Sequence, residues 1–152
     1  MVDETFPAYL EQARQQRAEL GESMAALEAA LTLPAGVGPV WRRRVRAALT
    51  ELCHDLRDHA ELTEADGGFY ADIGVTAPRL TYGVEVQLNE HTQALAEVER
   101  LLAERDEGLA DDEAVEAHRE ACIQLLGRLV RHRQRTSDLI YEAYAVDIGG
   151  SG

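Results

Sequence analysis

Four long stretches of this chain repeat their apolar residues at alternating three- and four-residue steps, and three stretches of turn chemistry separate them. That is the period of an amphipathic α-helix, so the spacing predicts four helices. The first runs from Asp3 or Thr5, either of which can cap it, to about Leu31. Its stripe is Phe6, Leu10, Ala13, Leu20, Met24, Leu27 and Leu31, interrupted by Arg17. After LPAGVGP, Pro39 opens a second helix with the stripe Trp41, Val45, Leu49, Leu52, Leu56 and His59, and Asp66-Gly67-Gly68 closes it. A connection carrying Phe69, Tyr70 and Ile73 leads to Thr76, expected to cap a third helix with Pro78 in its first turn. That helix turns Val84, Leu88, His91, Leu95, Val98 and Leu102 inward. The acidic ERDEGLADDE forms the last break and places carboxylates at the start of a fourth helix, where the helix dipole favours them. The fourth helix, from about Asp112 to Tyr144, shows Cys122, Leu125, Leu129, His132, Thr136 and Leu139 or Ile140 on its apolar face.

Composition agrees with an all-α reading. Hydrophobic residues make up 45% of the 152, aromatics only 5%, and helix formers outnumber the β-branched types. Long helices joined by short connections are most simply arranged as an antiparallel, up-down-up-down four-helix bundle. One domain over residues 1–146 follows, with 147–152 as a flexible tail. No internal repeat is present. The net charge of −13 opposes binding to nucleic acid or an anionic membrane, which needs clustered basic residues. No apolar run approaches the roughly 20 residues of a membrane span, and MVDETFPAYLEQ lacks the basic start and apolar core of a secretory signal. A cytoplasmic chain with two free thiols, Cys53 and Cys122, is expected. All basic charge is Arg, with no Lys, which points to a GC-rich bacterial genome.

Counting about 1.5 Å per helical residue from the turns puts His59, His91 and His132 near one level of the bundle, where the first helix passes through Ala13, Gln16 and Arg17. A buried imidazole needs a partner for each ring nitrogen. Three converging imidazoles therefore need either several hydroxyls and carboxylates or a shared metal ion, and imidazole suits iron, zinc and copper. Arg17 either faces this layer, where it would repel a cation and pair with Glu64, or runs its long side chain out to solvent. His54 and His118 have no partners at ligand spacing. No calcium loop, phosphate-binding loop or nucleophile motif is present.

The segments LRDHAELTEADGG, PRLTYGVEVQLNEHTQAL with its Glu90-His91 pair, and LLGRLVRHRQRTSDLIYEAY around His132 resemble the hemerythrin-like (HHE cation-binding) family across the second to fourth helices. The resemblance implies non-haem iron, one or two ions, in a bundle core, and binding or sensing of O2, NO or peroxide. Its ligand set is incomplete here. The first helix has no histidine, Thr63 stands where the family's second-helix acid falls with Glu64 one later, Leu95 replaces a second third-helix histidine, and Thr136 and Ser137 stand where the fourth-helix acid is expected. His59, His91 and His132 remain as nitrogen ligands and Glu64 as the oxygen ligand, with Tyr70, Asp138, Tyr141 or Glu142 available to complete a site. Zinc would use the same ligands. Peroxide breakdown is the catalytic activity the resemblance allows, without making the chain an enzyme. The alternative is a metal-free interaction or regulatory module on the same scaffold. Leu56 and Leu62, on different faces, leave monomer and homodimer both open.

Overall fold

The computed structural model describes residues 5–34 and 38–146, with side chains over 11–34 and 38–144. The expected cap at Asp3 and the 147–152 tail lie outside the described residues, as do the side chains of Phe6 and Leu10. Among those described the chain is all-helical. Four long helices, α1 (Thr5–Thr32), α2 (Pro39–Glu64), α4 (Thr81–Ala103) and α5 (Asp112–Ile140), are joined by a short helix α3 (Phe69–Thr76) and 3-10 turns at Pro78–Leu80 and Asp106–Leu109. A wider π-type turn, Tyr141–Val146, follows α5. The long helices pack in a ring, α1 on α2, α2 on α4, α4 on α5 and α5 on α1. No described helix is long and apolar enough to cross a membrane.

Local chemistry sets the helix ends. Gly38, at φ 64°, takes the left-handed conformation that opens α2, and Pro39 supplies the preset φ of a first turn. Asp111 caps α5 by accepting the Ala114 N–H at 2.7 Å, and Asp112 and Glu113 follow in its first turn. Thr76 does not cap a helix as expected. It ends α3, its hydroxyl returned to the Asp72 carbonyl at 2.8 Å, and Leu80 precedes α4 instead.

The stretch expected to be a connection is helical because of what it buries. Phe69, Tyr70 and Ile73 are one face of α3, and they pack with Leu80, Val84, Leu139 and Ala143 into a small apolar core. A larger core holds Leu20, Leu27, Trp41, Leu52, Val98 and Leu125, with Cys53 and Cys122 as buried free thiols. Along α2, α4 and α5 the residues between or beyond these cores are polar and buried: His59 and Thr63, Gln87 and His91, His132 and Thr136. A polar layer thus sits where the two apolar cores meet.

The turn that positions α3 tolerates no side chain at Gly68. Its N–H donates to the Ala65 carbonyl at 2.8 Å, and an added Cβ would lie 2.6 Å from the Leu62 carbonyl oxygen. Gly67→Ala would meet nothing within 4 Å. Gly68→Ala should therefore lower stability by about 1–3 kcal/mol, while Gly67→Ala should be neutral or add up to about 1 kcal/mol by restricting the unfolded chain. Urea midpoints of the two variants check this, and equal midpoints would contradict it.

Candidate metal centre

α2, α4 and α5 each contribute one histidine to the layer. His59, His91 and His132 are each only 3–4% exposed. The Nε2 of His132 lies 3.1 Å from that of His59 and 3.0 Å from that of His91. All three pairs of rings meet edge to face, with centroids 4.7 to 5.3 Å apart. The three histidines that the count from the turns places near one level are together in the structure.

What the rings do on their other edge decides their chemistry. His59 Nδ1 donates to Gln16 Oε1 at 2.9 Å, and the Gln16 amide cannot turn over, because its Nε2 donates to the Asp55 carbonyl at 2.9 Å. His132 Nδ1 donates to Glu90 Oε1 at 3.0 Å, and the second oxygen of Glu90 is held by Arg135. His91 Nδ1 faces Glu64 Oε2 at 3.4 Å. With each Nδ1–H directed at an oxygen, the three Nε2 atoms are left as acceptors, that of His132 facing both of the others. One proton among them makes one good hydrogen bond at a time; a cation serves all three. Two nitrogens bound about 2.1 Å from one ion at right angles to tetrahedral angles are about 3.0–3.4 Å apart, and both measured spacings fall in or at the edge of that range. The donor set fits a metal ion, and oxygen acceptors behind ligating histidines are the usual outer support of such a site.

Burial also keeps the rings neutral. Removal from water, with His132 and then Arg17 nearby, pulls His59 down to about 3, and removal from water with the other two histidines pulls His91 down to about 2. His132 is lowered too, mainly by burial, against the opposing pull of Glu90.

Glu64 takes a different place from the one expected. It stands behind His91, on the Nδ1 side, with its side chain 38% exposed. It therefore supports a ring and does not join the three Nε2 atoms. Burial raises its pKa. Thr63 and Thr136, where the family pattern has acids, are buried and return their hydroxyls to the carbonyls of His59 (2.8 Å) and His132 (2.9 Å). Arg17 is half-buried next to the layer and, among the described residues, pairs with no carboxylate. Tyr141 is exposed and Asp138 binds Gln134, so neither completes the site, whereas Tyr70 reaches His91. Gln16 and Glu90 were not assigned a role from sequence. The available signals were Gln16 at the counted level of the layer and Glu90 beside His91, about 100° round the helix and toward α5.

A cavity of about 30 Å³ adjoins the layer on the α1 side. His59 is the only one of the three histidines that lines it, with Ala13, Leu62, Phe69 and Ile140 as apolar walls. Its size suits one or two small atoms. Elsewhere, His54 is exposed and pairs with Asp58 at 3.3 Å, and His118 meets the edge of Trp41. Burial raises the Cys122 thiol to about 12, which makes it unreactive.

No family model, curated protein or solved structure matches the chain.

The depressed histidines give the metal-free chain a particular acid sensitivity. Below about pH 6.5 the unfolded chain takes up protons on His59 and His91 that the folded chain refuses until about pH 3 and 2. Their contribution is present in full above pH 6.5 and is lost as pH falls, at roughly 1.4 kcal/mol per pH unit for each. Urea unfolding of metal-free protein between pH 7 and 5 should show this slope. The His59→Gln, His91→Gln double variant should flatten it; an unchanged slope would assign the acid sensitivity to other groups.

Proposed function

We propose that this chain is a metal-binding helical bundle that holds one ion at the Nε2 atoms of His59, His91 and His132. The carrying observation is the convergence of three acceptor nitrogens whose Nδ1–H groups are all committed elsewhere. A single meeting point favours one ion over a pair, since Thr63, Leu95 and Thr136 occupy the positions where further ligands would stand. By its resemblance to the hemerythrin-like family the ion is non-haem iron, and the function is binding or sensing of a small diatomic molecule or peroxide. Bound iron would supply an open coordination position for such a molecule. The chain's own contribution is to keep the imidazoles neutral and water away, and to offer a small apolar space beside His59.

The same reading takes the helices as antiparallel in up-down-up-down order. Pairs between α2 and α4 support it, because numbers rise on one helix as they fall on the other: Arg46 with Glu104, then Arg57 with Glu99, then Glu64 with His91. Between α4 and α5, Gln87 meets Thr136 and His91 meets His132. Arg17 favours the second reading, a metal-free regulatory module, because a guanidinium that pairs with no carboxylate among the described residues, near the layer, opposes a cation.

Metal-depleted protein titrated with ferrous iron under nitrogen, and separately with zinc, separates the two. We expect about one ion per chain, and at least a hundredfold weaker binding in His91→Ala and His132→Ala. Glu64→Gln, which changes only an outer support, should weaken binding by about 10- to 100-fold at most. Folded protein that takes up neither metal would establish the metal-free module.

A further inference from the structure

Tyr70 enters the polar layer from α3, the short helix that no periodicity marks. Its side chain is buried, 6% exposed, and its ring lies 5.7 Å from that of His91. The phenol donates to Gln87 Oε1 at 2.8 Å, and that oxygen also lies 3.0 Å from the Thr136 hydroxyl. The phenol oxygen then stands 3.2 Å from His91 Nε2. With the phenol proton directed at Gln87 and the His91 Nδ1–H directed at Glu64, these two atoms face each other as acceptors. Their separation is close to the 3.0 and 3.1 Å between the histidine nitrogens. The phenol oxygen thus adjoins the histidine cluster at His91, as a fourth acceptor beside the three nitrogens.

Charge gives the fourth atom a reason to be there. Three neutral imidazoles would leave a buried ion with its whole charge, which is costly away from water. The carboxylates of Glu64 and Glu90 lie behind the rings, on the Nδ1 side. Tyr70 is the acidic group on the Nε2 side. Resting on the metal-binding reading above, we infer that the Tyr70 oxygen is the fourth donor to the ion, bound as phenolate. On binding, the oxygen–hydrogen bond breaks, the proton leaves to solvent, and an oxygen–metal bond forms; no electron moves. Gln87 orients the phenol, and Gly68 orients the helix that carries it.

Ferric iron is the probe, because a phenolate bound to it produces a visible charge-transfer band whose excitation enhances tyrosinate ring vibrations in the Raman spectrum. Wild-type protein loaded with one ferric ion should show both. Tyr70→Phe should retain the iron on its three histidines and lose at least nine-tenths of the band, while Tyr144→Phe, altered on the cavity wall, should keep it. Replacing Tyr70 by 3-fluorotyrosine preserves its shape and should shift the band, which covers the case in which Tyr70→Phe does not fold. Iron-loaded wild type without the band, or a band unmoved by 3-fluorotyrosine at position 70, would overturn the assignment and leave a three-histidine site. Wild type that takes up no iron would instead overturn the iron-binding reading on which the assignment rests.

Discussion

The arrangement depends on the hydrogen bonds at the back of the three imidazoles. A neutral histidine has one N–H, and the atom that receives it decides which nitrogen is left as a donor to something else. Gln16 decides this for His59 and is itself fixed by a main-chain carbonyl of α2; Glu90 decides it for His132 and is fixed by Arg135. These contacts tie α1 and α4 to the histidines that stand on α2, α4 and α5. They also explain how so polar a layer persists between two apolar cores. Each ring has an oxygen at its Nδ1 edge, and the Nε2 edges cluster around that of His132.

That cluster constrains what the scaffold can hold. A pair of ions would need donors one turn further along the helices. Those positions carry Thr63 and Thr136, whose hydroxyls are turned back onto their own helices, and Leu95, which packs against the larger core. The chain brings three histidines together and fills the neighbouring positions with small hydroxyls and an apolar side chain.

The four long helices and the meeting of His59, His91 and His132 were legible in the sequence because both rest on period and length. A stripe fixes which face of a helix is buried, and counting from the turns fixes the level. The acids were harder to place. Glu64 follows His59 by five residues and so seemed to belong with it, yet across the helix interface it supports His91. One residue of rotation, about 100°, separates a ligand from an outer support, and stripes do not resolve it. Glu90 and Gln16 stood at the right level without a visible role, since their partners are on other helices. Tyr70 stood among the candidates to complete the site, but the helix that carries it was not legible: eight residues after a glycine pair are too few to show a period, and only packing of Phe69, Tyr70 and Ile73 makes them a helix.

The depth of the layer has a consequence for time as well as for affinity. With each histidine at least 96% removed from solvent and only a small cavity of about 30 Å³ described beside His59, a hydrated ion has little room to reach the nitrogens without neighbouring helices parting. Exchange of an ion would then run at the pace of local unfolding and not of ligand substitution. A strong chelator in solution would wait for the protein to open, and an ion captured while the chain folds would be retained long after its supply had gone.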